Sequence, residues 1–297
     1  MAMNRRKFLE SSAAALVAAG SGRLLGRESA GGAEERPAIA AIQGKSVAGM
    51  LDAALQALGG IKAFVRKGDK VVLLPNPQGT RPGVSTNPGL MGTLVERCLE
   101  AGAAEAVVAS IHGPGRWYST GIIEAVEKAG GKLHYPQADR DVIVAPVPRG
   151  RQLKKVEIIR KAIENDVFID VPIVKQHDST RITCTMKNLM GLSPECSGFH
   201  RSDDYLDHAI ADLASLVSTK LCVVDALTIL TQNGPFGPGR TISPRKIVLG
   251  TNMVSVDAYC CRLLELEPRE VGHIRIAAEM GIGEINVSGL KISEAQV

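Results

Sequence analysis

The chain has 297 residues and a formal net charge of +4, with 45% apolar residues but only 3% aromatic ones. Such a length supports one large α/β domain or two small ones. With no basic stripe and so few aromatics, nothing favours nucleic acid, and no nucleic-acid partner is expected.

The chain opens with an expected export signal. Asn4-Arg5-Arg6-Lys7-Phe8-Leu9 sets an arginine pair before Phe-Leu, and a weakly apolar Ala/Val/Leu run follows over 11–20. Arg23 and Arg27 then precede the small residues Gly31-Gly32-Ala33, a cleavage site expected after Ala33. This resembles a twin-arginine signal over residues 1–33, read by the twin-arginine translocase, with the periplasm or another extracytoplasmic space as destination. The apolar run is too short to span a bilayer well. Arg5, Arg6, Lys7, Arg23 and Arg27 stand against Glu10 and Glu28, so most of the net positive charge belongs to this segment.

Beyond it, residues 37–297 are expected to form a single domain in which short β-rich runs alternate with amphipathic helices. Ala38–Ile42 is a predicted strand, and Val47–Val65 a predicted helix with Leu51, Leu55 and Leu58 on one face. Lys70–Leu74 is a buried strand ending in Pro75-Asn76-Pro77. Thr86-Asn87-Pro88 then opens a helix, with a capping residue and an N1 proline in their preferred places. Ala106–Ser110 is strand and Ser119–Ala129 helix, closed by Gly130-Gly131. Residues 132–156, broken by Pro136, Pro146 and Pro148, read as an edge hairpin or a small insertion. Val167–Val174 is strand, Ser179–Met190 and Asp203–Val217 helices, Leu221–Ala226 and Lys246–Gly250 strands, and Ser255–Leu266 and Arg269–Met280 helices. The expected fold is α/β: a mainly parallel sheet covered by helices on both faces, a Rossmann-like three-layer arrangement.

Parallel sheets bind ligands beyond the carboxyl ends of their strands. The residues there are polar: Asn76 and Gln78, Ser110 and His112, Lys175 and His177, Asp225, and Asn252. The segment 174–191 is the richest. On a helix over 179–190, Thr180, Cys184, Lys187 and Asn188 share one face, with His177 at the strand end before them. Lys175 or Lys187 then stabilises an oxyanion or, when desolvated, serves as a base, while His177 shuttles protons or binds a metal. Asp225 joins this catalytic set. Cys184 and Cys196 are candidate metal ligands with His177, or a redox pair; no C-x-x-C or ferredoxin spacing is present. The loop Gly234-Pro235-Phe236-Gly237-Pro238-Gly239-Arg240 is not a phosphate-binding Walker sequence. It reads as a lid whose Gly234 and Arg240 meet an anionic cofactor or ligand, or as a plain turn. A serine nucleophile elbow and a His-Glu-x-x-His zinc helix are both absent from the sequence.

Lys175-Gln176-His177, the run from Thr180 to Lys187-Asn188-Leu189-Met190-Gly191, Asp225, Gly234-Pro235 and Ser255-Val256-Asp257-Ala258 resemble domain-of-unknown-function family 362. The resemblance extends from about Lys70 to Gly283. It implies roles for Lys175, His177, Lys187, Asn188, Asp225 and Asp257, the last with Thr180 and Cys184 toward a cofactor. It also implies a redox setting, since family members are sometimes fused to iron–sulfur ferredoxin domains. The expectation is an exported, metal- or cofactor-associated, redox-linked enzyme for a small anionic substrate, with an iron–sulfur cluster or metal as candidate cofactor and a redox protein as candidate partner. The alternatives are a non-catalytic anion-binding protein and a partner subunit of an exported oxidoreductase.

Overall fold

The computed structural model describes residues 36–297, so the export signal expected over 1–33 lies outside the described residues. In chain order the elements are β1 (Ile39–Gln43), α1 (Val47–Ala57), β2 (Lys70–Pro75), α2 (Pro88–Glu100), β3 (Glu105–Ala109), α3 (Pro114–Tyr118), α4 (Ile122–Lys128), β4 (Lys132–His134), α5 (Ala138–Asp141), β5 (Val142–Pro146) and β6 (Lys155–Ile159). They continue with β7 (Val167–Val171), β8 (Lys175–His177), β9 (Arg181–Thr183), α6 (Thr185–Asn188), α7 (Asp203–Leu216), β10 (Leu221–Ala226), β11 (Ile229–Leu230), β12 (Thr241–Ile242), β13 (Lys246–Gly250), α8 (Met253–Cys261), α9 (Gly272–Glu279) and β14 (Ile292–Gln296). Short 3-10 turns join several of them.

Eight of these strands form one sheet in the order β14-β1-β13-β10-β7-β2-β3-β4. Neighbours are parallel except around β13, which runs antiparallel to both β1 and β10. The strands are apolar on both faces because both faces are covered. Ala40, Ile42, Val71 and Leu73 point to one side, where α1, α2 and α4 pack; Ile39, Ala41, Val72 and Leu74 point to the other, toward α7, α8 and α9. The three-layer α/β expectation holds. Residues 142–159 form a separate hairpin, β5 with β6. It is tied to α7 by Asp212, whose carboxylate accepts the N–H groups of Arg151, Gln152 and Leu153.

Local boundaries follow the sequence signals in most places. Asn87 caps α2 through Leu90 N–H, with Pro88 at the first helical position. The predicted helix 47–65 is too long: α1 ends at Ala57, because Gly59 and Gly60 take positive φ and turn the chain out of the helix.

The predicted helix Ser179–Met190 needs a larger correction. Lys175–His177 and Arg181–Thr183 pair as an antiparallel hairpin, and helix begins only at Thr185. The β-branched residues Thr180, Ile182 and Thr183 favour the strand, and Arg181 takes a left-handed φ of 64° that no helix admits. Thr180, Cys184, Lys187 and Asn188 therefore do not share one helical face.

Candidate functional site

The carboxyl ends of β2, β3 and β7 open onto a cavity of about 400 Å³, a volume in the range of small-molecule sites. Asn76 and Gln78 follow β2, His112 follows β3, and Lys175 and His177 lie on β8, just after β7. Lys187 and Asn188 come from α6, with Cys196 and His200 from the turn beyond it. Pro235 and Phe236 close one side. The strand-end rule thus gathers most of its residues in one place.

One of its exceptions, Asn252, has a topological cause. β13 runs antiparallel to its neighbours, so Asn252 falls at the opposite end of the sheet, where it caps α8 through Ser255 N–H. Asp225, at the end of β10, lines a neighbouring cavity and accepts the N–H groups of Asn87 and Leu227. Burial raises its carboxyl to about 6.

The centre of the site is a chain of buried amides. Asn188 donates its two Nδ2 hydrogens to Leu74 O (3.1 Å) and Asp170 Oδ1 (2.7 Å). A backbone carbonyl can only accept, so this amide has one orientation. Its Oδ1 then accepts from Asn76 Nδ2 at 2.9 Å, which turns Asn76 Oδ1 toward Lys175. Lys175 Nζ donates there (3.1 Å) and to Val84 O (2.6 Å). Lys175 is 1% exposed and has no carboxylate partner among the described residues. Burial, helped by the nearby Lys187 ammonium, lowers it to about 7. In the neutral amine both hydrogens are then engaged, and the lone pair takes the remaining direction at the nitrogen.

Lys187 is also buried, and among the described residues its Nζ meets the Met190 thioether at 3.2 Å. Burial lowers it to about 8, so it remains largely a cation at neutral pH. His177 is lowered to about 3, by burial first and Lys187 second, against the opposing pull of Asp178. Its Nδ1 lies 2.9 Å from Asp178 Oδ1, while Ser179 N–H sits nearer the carboxylate (2.7 Å) than the ring (3.2 Å). Thr180 N–H also points at Nδ1, at 3.5 Å, so the turn that follows β8 holds the ring at this nitrogen.

Asp257 acts from behind the cavity. Its Oδ1 accepts from Thr185 N–H (2.8 Å) and Thr185 Oγ1 (2.6 Å), and its Oδ2 from Met186 N–H (3.1 Å). It caps the first turn of the helix that carries Lys187 and Asn188. Cys184 is wholly buried beside Cys260 and Asp257, and burial pushes its thiol well up. Cys196 is half-buried in the cavity wall, so the two cysteines sit in different surroundings and both are free thiols. Thr180 is buried in the β8–β9 turn, donating to Ile182 O. Gly234 docks its loop on β8: a Cβ there would stand 1.8 Å from Gln176 O. Arg240 is exposed on the β11–β12 hairpin and does not line the cavity.

No three His, Cys, Asp or Glu side chains converge as a metal-holding group among the described residues. His177, Cys184 and Cys196 do not form one, and the cavity's donors suit an anion rather than a cation. Sequence reasoning missed Arg116, His200 and Asp170. The first two lie outside strand ends; Asp170 sits inside an apolar strand, where a lone carboxyl in Val-Phe-Ile-Asp-Val was itself the signal.

Fold and site together define an α/β protein with a cationic, amide-lined cleft at the strand ends. Residues 71–262 match the family described as Domain of unknown function (DUF362), and the chain belongs to that family. It is 24% identical over 246 residues to the thylakoid-associated protein sll1697 of Synechocystis sp., covering 77% of this chain and 73% of that protein. It is similar in structure to a Thermotoga maritima protein (TM-score 0.44, 13% identity, 74% of this chain) and to the lactate racemase apoprotein of Thermoanaerobacterium thermosaccharolyticum (TM-score 0.42, 14% identity, 70% of this chain). The chain spans 58% and 55% of those two structures.

Proposed function

We propose that this chain is an exported enzyme that holds a small anionic molecule in the strand-end cavity and moves a proton on it. The observation that carries the reading is Lys175: a buried amine lowered to about 7, with both hydrogens committed to Asn76 Oδ1 and Val84 O. A base near neutrality with a directed lone pair is suited to proton abstraction. Lys187 supplies positive charge for the substrate's acidic group and for negative charge that develops during the reaction. His177 is a further neutral polar group in the same cavity at pH 7; His112 is neutral too, but its Nε2 already accepts from Gln78. Export in the folded state rests on the arginine pair at Arg5-Arg6. The reading is built on proton transfer because the buried Lys175 amine bears on that chemistry directly.

The test is hydrogen exchange. Small carboxylic and phosphorylated acids are incubated with the protein in deuterium oxide, and exchange beside the acidic group is followed by NMR. Lys175→Met should abolish exchange while anion binding persists, and Lys187→Ala should weaken binding itself by about tenfold or more. Tight binding of an acid with no exchange in the native protein would make this chain a binding protein instead.

A further inference from the structure

The cavity's charges are out of balance, and the imbalance is divided between its floor and its rim. Asp178 is the only acid among the lining residues, and its Oδ1 is already taken by Ser179 N–H and Ser179 Oγ, with His177 Nδ1 2.9 Å away. Three cationic side chains line the same space: Lys175, Lys187 and Arg116. No carboxylate among the described residues lies within ion-pair distance of any of them.

Arg116 is not a loose surface side chain. It lies on α3, which Trp117 pins from the core: the ring is fully buried and Nε1 donates to His112 O at 2.7 Å. The guanidinium donates through Nη1 to Gln78 Oε1 at 2.5 Å. Gln78 is itself held, its Nε2 3.1 Å from His112 Nε2 and its backbone N–H on Ser85 Oγ at 2.8 Å. With Oε1 accepting from arginine, Nε2 must donate, so His112 Nε2 is the acceptor and the ring is neutral. Its lowering to about 4 by burial and by Arg116 agrees. Arg116 therefore presents the rest of a forked donor from a fixed position, a geometry suited to carboxylate or phosphate.

We infer that the molecule bound here is a dianion, carrying one acidic group for Lys187 at the floor and a second for Arg116 at the rim, with its reacting carbon beside Lys175. This rests on the anion-binding reading above and narrows it. At neutral pH Lys187 is mostly a cation and Lys175 about half-protonated, and with the Arg116 guanidinium they set positive charge at two separated places, which suits two negative groups. One small molecule can meet both, because both line one cavity of about 400 Å³. Arg116 is then the residue that sets selectivity, and Lys187 the one that any anion needs.

Titration calorimetry on two matched pairs tests this: butyrate against succinate, and glycolate against phosphoglycolate. In each pair the second molecule adds one acidic group. At least one of the two-group acids should bind about tenfold or more tightly than its partner, a usual margin for a charge-assisted bidentate contact. The pair that shows the margin identifies the second group as carboxylate or phosphoryl. Arg116→Gln should bring that ratio close to one, Arg116→Lys should retain part of it, and Lys187→Ala should weaken all members of the set. Equal affinities within both pairs, or a preference that survives Arg116→Gln, overturn the dianion while leaving an anion site in place. If none of the four molecules binds, the anion-binding reading itself falls, and the dianion with it.

Discussion

Lys175 spends stability to obtain reactivity, and the sign of that exchange can be measured. Its folded pKa of about 7 lies below the ordinary 10.5 of an exposed lysine. Between those values the unfolded chain holds a proton that the folded chain has released, so folding becomes more favourable as pH rises through this window. Lys187, lowered to about 8, adds a term of the same sign at higher pH. The buried thiols of Cys98, Cys184, Cys222 and Cys261 are raised instead, and act oppositely once free thiols begin to ionise. Between pH 7 and 8 Lys175 makes the largest contribution, about 1 kcal/mol, with smaller ones of the same sign from Lys187 and the lowered histidines. In urea unfolding Lys175→Met should therefore lower the rise over this interval by about 1 kcal/mol and leave the remainder. A slope unchanged in the variant would show that Lys175 is charged in the folded protein. Proton abstraction needs the same neutral form, so activity should climb with pH through about 7.

At the scale of elements, the site depends on a four-residue helix that cannot stand alone. Thr185–Asn188 is held at its start by Asp257 from α8 and at its end by Asn188, whose amide reaches Leu74 on β2 and Asp170 on β7. Asp257→Ala leaves Thr185 N–H, Thr185 Oγ1 and Met186 N–H without their acceptor. It should cost about 3 kcal/mol in urea unfolding, and anion affinity should fall with it because Lys187 rides on this helix. Asp257→Asn keeps one accepting oxygen and should lose less on both measures. Anion affinity unaltered in the alanine variant would mean that the helix holds Lys187 in place without this cap.

The same element shows where sequence reading reached and where it stopped. Strand-end placement is a property of order along the chain, so Asn76, Gln78, His112, Lys175 and His177 were legible as one group. The turn at 178–184 was not. Its polar residues satisfy a helical spacing and a strand alternation almost equally, and only the pairing of β8 with β9 decides between them. Asp257 reads as an ordinary first-turn acid, because its real partners stand 71 and 72 residues away in the chain. Arg116 reads as surface, since the cavity rim is assembled from loops that no local pattern brings together.

In the whole molecule, the sheet places its two chain-order extremes side by side at the edge away from the cavity. β1 lies between β13 and β14, paired in parallel with β14 from Ile39↔Ile292 to Gln43↔Gln296. The segment also gives β1 its outer cover: Ala38 N–H bonds Lys291 O, and Val297 N–H bonds Gln43 O. Without it, Ile-Ala-Ala-Ile-Gln becomes an uncharged, apolar edge strand, the kind that pairs with other chains. Glu294 would also be lost as the acceptor for Tyr259 Oη and Arg262 Nη1. A chain ending at Leu290 should therefore self-associate in sedimentation velocity, at concentrations where the full chain does not. Its monomer fraction should still bind the preferred acid, because the cavity draws no residue from β1 or β14. A truncated chain that stays monomeric would show that the β1 edge is protected by twist and neighbouring side chains. One that loses binding would show instead that the sheet edge and the cavity fold as one cooperative unit.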